Sequence, residues 1–522
     1  MVQGIKIGNQ DITLEDFRQV LYQSAKISLT DEALVRVNRS FSFLKDFSKD
    51  KVIYGVNTGF GPMAPYIIKA DQSKALQYNL IRSHSAGTGK VLPMDCLKAT
   101  LLARLGSLIQ GHSGVHEEVV LLLQTLINED IRPVIYEHGG VGASGDLVQL
   151  AHLALTMIGE GEVVYQNEIQ PTEKVFQKLN IQPLKMHLRE GLALINGTST
   201  MTGIGAVNLL KAKELLRLQV LASSMVTEIV EAYDDHFSKE LNQVKRHHGQ
   251  QEIAAMMRDI LDGSQRTQQR YGQYHAIKLN GVKKVDNKVQ EFYSLRCVSQ
   301  ILGPVLDTIN NAEKVVEEEL NSANDNPIVD VENGSVFHGG NFHGDYISLE
   351  MDKLKLAITK LSMLAERQLN YLLNDKLNGI LPPFVNMGTL GLNFGMQGAQ
   401  FTAVSTVAEN QTLSNPMYIH SIPNNNDNQD IVSMGSNAAM MTHRVIDNTF
   451  EVLSIHFMTI LQAIDCLKIQ DKLAPTTKAF YKEMRAIFPV FVEDGTLYED
   501  IKRVKEFLKN RVEQGKDVVV ER

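Results

Sequence analysis

A glycine-rich run in the first third of the chain carries residues whose types and spacing could do chemistry. Four glycines and one serine stand between Glu137 and Asp146, in the order EHGGVGASGD. Such runs serve in three kinds of site: phosphate-binding loops, loops that present a serine nucleophile, and segments whose backbone bends more sharply than ordinary residues allow. The residues around the serine decide between the three.

The first two kinds of site fit the run poorly. The stretch from Gly140 to Gly145 matches GxGxxG, but the sequence around it lacks the alternation of strands and helices that a dinucleotide-binding loop requires. A nucleophile elbow needs GxSxG, and the residues around Ser144 do not have that spacing. A glycine-rich turn that only leads into a helix near Asp146, with the aspartate as its cap, is the structural alternative.

In Ala143-Ser144-Gly145 the small residues permit a reaction of the backbone itself. The Gly145 nitrogen stands two residues after the Ala143 carbonyl, and in a compressed loop it can attack that carbonyl and close a five-membered ring. Glycine tolerates the strain that such a loop needs. Loss of two water molecules, one of them containing the Ser144 hydroxyl, then leaves a methylidene carbon. The product is a strong electrophile, which no standard side chain provides.

The composition excludes several classes of protein. Among 522 residues, 52 Lys+Arg stand against 60 Asp+Glu, so the net charge is −8, and no basic stripe predicts a nucleic-acid partner. The three cysteines form no CxxC pair, which argues against a disulfide framework or structural zinc. We find neither a signal-peptide pattern nor an apolar run of about 18 residues. The sequence therefore predicts a soluble cytoplasmic protein without membrane contact.

Helical periodicity dominates the chain beyond about residue 200. Between 345 and 374, apolar residues recur at spacings of three and four, at Ile347, Met351, Leu354, Ile358, Leu361, Ala365, Leu369 and Leu372. Comparable runs cover 205–232, about 287–320 and 437–468, and Gly303-Pro304 should kink or divide the middle one. Long helices without alternating strands predict a mainly α fold built on a long central helical bundle.

The first 200 residues have a different pattern. Shorter helical pieces at 14–25 and 96–110 alternate with glycine-rich loops, and the short strand candidates are IKIG near the start and GEVVY at 161–165. We therefore expect a loop-rich α domain over 1–200 that carries the glycine run, the central bundle over 201–480, and a C-terminal helical tail over 481–522.

Seven motifs in one order resemble those of a single enzyme family. They are YGVNTGFG at 54–61, ASGD at 143–146, LINGT at 194–198, QEFYSLRC at 290–297, GGNFHG at 339–344, AEN at 408–410 and NQD at 428–430. Together they resemble the signature segments of the aromatic amino acid ammonia-lyases, which act on histidine, phenylalanine or tyrosine, and of the related aminomutases. SHSAGTGK, EHGGVGASGDLVQL and SIPNNNDNQDIVSMG are especially similar to the flavobacterial type of bacterial tyrosine ammonia-lyase.

The resemblance implies a prosthetic group made from the chain itself. Ala143, Ser144 and Gly145 would form methylidene-imidazolone (MIO), and no external cofactor would be needed. The other catalytic residues that the resemblance implies are Tyr54 as the base, Asn196, Gln290, Tyr293, Arg296, Phe342 and Glu409. The substrate-binding residues that it implies are Gly61, His84, Asn196, Arg296 and Gln429, with the Arg296 guanidinium gripping the α-carboxylate.

Two further expectations concern the surroundings of these residues. A helix through QEFYSLRC would place Gln290, Tyr293 and Arg296 on one face. His338, His343 and Asp345 could be read as metal ligands, but no second ligand cluster matches them, so we expect no metal. The resemblance also implies a homotetramer whose sites collect residues from three subunits.

The implied reaction removes ammonia from an aromatic L-amino acid and leaves a trans unsaturated acid, and the substrate clues conflict. His84, after Ser83, resembles the histidine ammonia-lyase pattern, but it can also bond a phenol oxygen, and it disfavours phenylalanine, which would leave it unpaired. Gln429 lies in Asn-Gln-Asp, which is typical of the phenylalanine and tyrosine enzymes, where histidine ammonia-lyases carry Gln-Glu-Asp. Gln149 departs from the family, which usually has proline there.

We favour L-tyrosine, giving trans-p-coumarate, over L-histidine, giving urocanate, with phenylalanine ammonia-lyase or an aminomutase behind both. A hypothesis from another class is an α-helical scaffold whose glycine run only caps a helix. An intact mass that lacks the loss of two waters would indicate the scaffold.

Overall fold

The computed structural model describes residues 4–270, 282 and 289–515. It is 59% helical, which confirms the mainly α prediction. The helices are Leu14–Tyr22 (α1), Asp31–Phe47 (α2), Ser73–His84 (α3), Met94–Leu108 (α4), Glu117–Asn128 (α5), Leu147–Met157 (α6), Thr172–Leu179 (α7), Glu190–Ile195 (α8), Ser199–Ile229 (α9), Lys239–Gln243 (α10), His248–Leu261 (α11), Tyr293–Arg296 (α12), Val298–Leu320 (α13), Asp345–Leu373 (α14), Asp375–Asn378 (α15), Gln397–Leu413 (α16), Gly435–Leu467 (α17), Pro475–Ile487 (α18) and Tyr498–Gln514 (α19).

The strands are short and pair locally. They are Ile5–Ile7 (β1), Ile27–Leu29 (β2), Thr88–Val91 (β3), Arg132–Pro133 (β4), Tyr136–His138 (β5), Glu162–Tyr165 (β6), Glu168–Pro171 (β7), Ile328–Asp330 (β8) and Ser335–Phe337 (β9). β1 and β2 are parallel, whereas β3–β5, β4–β6–β7 and β8–β9 are antiparallel. Both predicted strands, IKIG and GEVVY, are thereby confirmed at β1 and β6.

The chain forms two compact units, each built from three segments. The first unit comprises Met1–Leu210, Ala312–Asp352 and Pro416–His443, and it contains the glycine run. Its interior is built on α4 and α8. In α8 all six residues are buried, and in α4 every residue from Cys96 onward is buried, so neither helix has an amphipathic stripe. Helices that are buried on all sides belong in a core.

The second unit comprises Lys211–Asn311, Lys353–Asn415 and Arg444–Arg522. Within it α11 packs on α18, and α18 packs on α19. Lys505 and Lys509 of α19 bind Asp447 of α17 with N–O distances of 2.9 Å each. This charge cluster fastens the C-terminal helix to the longest helix of the chain.

The periodicity predicts the long helices well and fails at one run. The predicted runs 205–232, 345–374 and 437–468 correspond to α9, α14 and α17, and the eight apolar positions of α14 are all fully buried. The run 287–320 is interrupted at Cys297 between α12 and α13 and not at Gly303-Pro304, where α13 continues. A Cβ on Gly303 would collide with the Gln250 backbone, so the glycine allows α11 to approach α13 closely at this point. Positions 287 and 288 of this run lie outside the described residues.

α17 is long and apolar enough by composition to cross a membrane. An 18-residue window within it has a mean hydropathy of 1.4, and 78% of that window is buried inside the protein. Such burial is the property of a core helix, which passes the same composition test.

Candidate functional site

A cavity of about 770 Å³ lies in the first unit. Its lining includes seven of the residues expected at the site, namely Tyr54, Gly61, His84, Ser144, Asn196, Phe342 and Gln429. The remaining lining is partly apolar, with Leu76, Leu80, Leu147, Leu192 and Ile195, and partly polar, with Asn79, Asn326, Asn425 and Asn428. An apolar cavity with a few convergent polar groups is the usual form of a small-molecule site.

The glycine run contributes Ser144 to the cavity lining, and its backbone bends at two of its glycines. Gly142 has φ +72° and Gly145 has φ +73°, both in the left-handed region. A Cβ on Gly145 would collide with the carbonyl of Gly197, so a larger residue cannot occupy this position. The Gly142 carbonyl accepts hydrogen bonds from the Gly344 N–H at 3.1 Å and from the Ser433 hydroxyl at 2.9 Å. The run is therefore held on two sides by distant segments.

Two amide side chains hold Ser144 directly. Asn196 Nδ2 donates to the Ser144 carbonyl oxygen at 2.9 Å, and Gln429 Nε2 donates to the Ser144 hydroxyl at 2.7 Å. Asn196 is in turn fixed by the Asn326 N–H, which donates to its Oδ1 at 2.8 Å. The structure thus brings Ser144, Asn196 and Gln429 into contact from three separate motifs.

Asp146 is completely buried and caps a different helix from the one expected. α6 begins at Leu147, but the Asp146 side chain makes no cap hydrogen bond to it. Its Oδ2 instead accepts from the N–H groups of Thr200 and Met201 at 2.9 and 2.8 Å, in the first turn of α9, and its Oδ1 accepts from Ser436 Oγ. Burial raises the pKa of this carboxyl to about 6. The aspartate therefore ties the glycine run to the N-terminus of α9, where an anion is favoured.

Tyr54 stands in a turn-rich loop with its phenol in the cavity. The Gly61 N–H donates to Tyr54 Oη at 3.2 Å, and the Phe60 ring packs edge-on to the phenol at a centroid distance of 6.3 Å. Gly55 has φ +77°, and a Cβ there would collide with Leu192. Gly55 and Gly61 thus have separate roles, Gly55 in the turn and Gly61 at the phenol oxygen.

His84 is the last residue of α3, and its ring has a defined tautomer. Its Nδ1 lies 2.9 Å from the Leu80 carbonyl oxygen, which can only accept, so Nδ1 carries the proton. In the neutral ring Nε2 is then an acceptor. The half-buried His84 presents to its surroundings a nitrogen that binds donors.

Four of the expected site residues belong to the second unit and are absent from the cavity lining. Gln290 precedes α12 in a bend, so the prediction of one helix face with Tyr293 and Arg296 is wrong for Gln290. Tyr293 is 69% exposed, and the Arg296 guanidinium carbon lies 4.7 Å from its ring centroid. Glu409 on α16 accepts from Arg444 Nε at 3.2 Å.

The possible metal ligands do not gather into a site. His343 Nε2 and Asp345 Oδ2 are 3.3 Å apart, while His338 lines the cavity. Among residues 4–270 and 289–515 no group of three or more His, Cys, Asp or Glu side chains could hold a metal ion.

Sequence reasoning missed several residues that support the site. Asn326 fixes Asn196 through its backbone, Ser433 and Ser436 hold the glycine run, and Asn425 lies against Gly61. Asn425 stands in the polar NNND stretch, whose composition indicates a turn and could have drawn attention to it. The other contacts join distant segments, and no local spacing indicates them.

Comparison with known proteins gives consistent matches over the whole chain. The model of a family described as aromatic amino acid lyase matches residues 12–486. A tyrosine 2,3-aminomutase from Chondromyces crocatus is 38% identical over 510 residues, which cover 97% of this chain and 96% of that protein. A histidine ammonia-lyase from Staphylococcus aureus strain JH9 is 37% identical over 511 residues, covering 97% of this chain and 98% of that protein. A crystal structure of tyrosine aminomutase from Streptomyces globisporus has a TM-score of 0.93 and 34% identity, with 99% of each chain covered.

Proposed function

The chain is a member of the aromatic amino acid lyase family, and we propose that it removes ammonia from L-tyrosine to give trans-p-coumarate. The observation that carries this proposal is the convergence of Tyr54, His84, Ser144, Asn196 and Gln429 on one cavity of about 770 Å³. An aromatic amino acid fits a cavity of this size, and the apolar part of the lining suits its ring.

The residues around Ser144 fit the formation of MIO. Ring closure joins the Gly145 nitrogen to the Ala143 carbonyl carbon and expels that carbonyl oxygen as water. Loss of the Ser144 hydroxyl with its Cα hydrogen expels the second water. The Gln429 amide donates to that leaving hydroxyl, and the Asn196 amide holds the carbonyl that becomes part of the ring. When formed, MIO supplies the electrophile that activates the substrate for loss of its amine.

We propose that Tyr54 takes the β-proton. Tyr54 lines the same cavity as Ser144, and its phenol oxygen accepts from the Gly61 N–H. A base must reach the proton that it removes, and a phenol held in the substrate cavity supports this role.

The substrate carboxylate needs a cation that the cavity itself lacks. Among its described lining residues there is neither lysine nor arginine. We propose that Arg296 supplies the planar fork for the carboxylate, with Gln290, Tyr293 and Glu409 nearby, from neighbouring subunits of a homotetramer. In the second unit, several large apolar side chains are exposed. On one face of α16, Phe401 is 66% and Val404 is 46% exposed. In the loop before α16, Leu392 is 71% and Phe394 is 59% exposed. Apolar side chains exposed in such number indicate contact with other chains.

The tautomer of His84 supports a substrate whose aromatic ring carries a hydrogen-bond donor. Because Nδ1 is bound to the Leu80 carbonyl, Nε2 is free to accept the phenol O–H of tyrosine. Phenylalanine offers no donor and would leave the nitrogen desolvated and unpaired. Gln429, in Asn-Gln-Asp, agrees with this choice.

His84 Nε2, as a hydrogen-bond acceptor, also suits a second candidate substrate. The N–H of an imidazole ring could also bond to His84 Nε2, and a histidine ammonia-lyase is among the close relatives. L-Histidine, giving urocanate, is therefore the alternative substrate. The similarity to tyrosine aminomutases adds a β-amino acid as a product to be looked for.

The experiment is a parallel ultraviolet assay of the purified protein with tyrosine, histidine and phenylalanine, combined with chromatography for β-amino acids. Ser144→Ala should abolish both the activity and the loss of two waters from the intact mass. Ser28→Ala, which changes an exposed serine on β2, should alter neither. Coumarate from tyrosine supports the proposal; urocanate as the main product would replace it by the alternative; a full, unmodified mass would favour the helical scaffold.

We also propose that the protein is cytoplasmic. In support, the chain has only three cysteines and none of them forms a disulfide, as is usual in a reducing compartment. Fractionation of the native host would test this.

A further inference from the structure

A buried arginine without a place in the proposed reaction lies behind the glycine run. Arg104 on α4 is 0% exposed, and its guanidinium reaches four acceptors in the first unit. Nη2 donates to the carbonyls of Ala193 and Asn196, the latter at 3.0 Å, and Nη1 donates to Ser199 Oγ and Asn324 Oδ1, each at 3.3 Å. All four acceptors are neutral. A buried cation without a contacting carboxylate is costly, so its retention calls for a reason.

The two carbonyls that Arg104 grips belong to the C-terminal end of α8. Helix carbonyls at this end lack partners within the helix and carry partial negative charge, so a cation binds there favourably. Asn196, whose carbonyl is one of these two, and Gly197 lead from α8 towards α9. Gly197 has φ +141°, and a Cβ there would collide with Arg104 Nη1. The guanidinium thus occupies space that only glycine leaves open at this junction.

This junction supports both sides of Ala143-Ser144-Gly145. Asn196 Nδ2 donates to the Ser144 carbonyl at 2.9 Å, and the Gly197 carbonyl accepts from the Asp146 N–H at 2.7 Å. A shift of the 196–197 backbone would therefore change the amide that meets Ser144 and would relax the bend at Gly145. Arg104 is the side chain that fixes this backbone from behind.

We infer that Arg104 is a positioning residue for the proposed reaction, acting through Asn196 and Gly197 on the loop that forms MIO. This rests on the proposed function. A planar guanidinium is needed because one nitrogen bridges two carbonyls while the other bonds Ser199 and Asn324. An ammonium group is a point donor and cannot hold the same four acceptors.

The test is Arg104→Lys in the full chain, with three readouts besides stability. These are the fraction of subunits whose intact mass has lost two waters, and kcat and KM for tyrosine per matured subunit. We expect incomplete maturation, or a kcat lowered by about 10- to 100-fold with KM changed less than about threefold, because a small misplacement of reacting groups costs that much. Circular dichroism and thermal midpoint establish that the variant is folded.

Arg511→Lys is the matched control. Arg511 is also a buried arginine, 5% exposed, but it lies in the second unit and binds Glu214 and Glu483. This change should lower the thermal midpoint and leave maturation and kcat per matured subunit at the wild-type values. A merely structural Arg104 would behave in the same way.

A second variant covers the case in which Arg104→Lys does not fold. Ser199→Ala removes one acceptor of Arg104 and nothing larger, and it should lower kcat in the same direction by about two- to fivefold. Wild-type maturation and kcat in both variants, or in Ser199→Ala alone when the other is insoluble, would overturn the inference. A wild-type protein that neither loses two waters nor releases ammonia would overturn the proposed function itself, which keeps the two failures distinct.

Discussion

Replacing His84 by phenylalanine should change which amino acid the protein prefers. In the structure Nδ1 of His84 is bound to the Leu80 carbonyl at 2.9 Å, so Nε2 is the nitrogen that can meet the substrate ring. The phenyl group of His84→Phe fills similar space, has no acceptor, and sits at the end of α3 where the helix backbone is unchanged. With tyrosine bound, the variant lacks the hydrogen bond between the phenol O–H and Nε2. With phenylalanine bound, it no longer leaves Nε2 without a hydrogen-bond donor.

The size of the change in preference follows from the effect of the substitution on each of the two substrates. Loss of the phenol hydrogen bond should cost tyrosine about 1–1.5 kcal/mol, and leaving the phenol oxygen desolvated against a phenyl ring raises the cost to about 2 kcal/mol. Phenylalanine should gain about 1 kcal/mol because no polar group is left unpaired. The ratio of kcat/KM for tyrosine to kcat/KM for phenylalanine should therefore fall by about 3 kcal/mol, or roughly 150-fold.

Steady-state assays that follow coumarate and cinnamate separately measure this ratio. Lys74→Ala is the control on the same helix, because Lys74 is exposed near the start of α3 and does not line the cavity. It should change the ratio by less than about threefold. A ratio that is equally insensitive to His84→Phe would refute the assignment of His84 Nε2 to the substrate ring.

Two further substitutions test the folded structure around and away from the site. Gly145→Ala should give protein that does not mature, by intact mass, because its Cβ would collide with the Gly197 carbonyl and φ is +73°; complete loss of two waters in this variant would contradict the close approach. Burial lowers the pKa of His456 from 6.5 to about 3, and neither ring nitrogen has a partner among the described residues. Because the unfolded chain binds this proton below pH 6.5 and the folded chain does not, stability is complete above that pH and falls as the pH drops towards 3. Between pH 8 and pH 5, the change in the free energy of unfolding, measured with urea, should be about 2 kcal/mol less favourable in the wild type than in His456→Leu; the same change in both proteins would show that His456 does not carry this acid sensitivity.

The sequence predicts best what local periodicity determines. The three-and-four spacing through α14 marks a buried face, and each of its eight apolar positions is fully buried. The strands at β1 and β6 were also predictable, because β-branched residues stand there beside turn residues. Motif resemblance added the lining residues Tyr54, His84, Ser144 and Gln429, which come from four distant parts of the chain.

What the sequence did not predict depends on contacts between distant segments. Pro304 is expected to divide a helix, yet α13 continues through it while the break falls at Cys297. Asp146 looks like the cap of its own helix and instead caps α9, which begins more than fifty residues later. Arg104 looks like an ordinary helical arginine, since nothing in its neighbours along the chain indicates that α8 ends against it. Tertiary packing decides such roles, and local propensity does not.

The hydrogen bonds of the glycine run also determine when the proposed formation of MIO can occur. The run does not bend by its own composition alone, because its holders come from Gly197, Gln429, Ser433 and Ser436, some of them nearly 300 residues away in the chain. Before these segments are in place, the loop is not held in the bent conformation that brings the Gly145 nitrogen near the Ala143 carbonyl. Ordering glycines in a free loop also costs more conformational entropy than ordering other residues. The proposed ring closure must therefore follow the folding of the first unit.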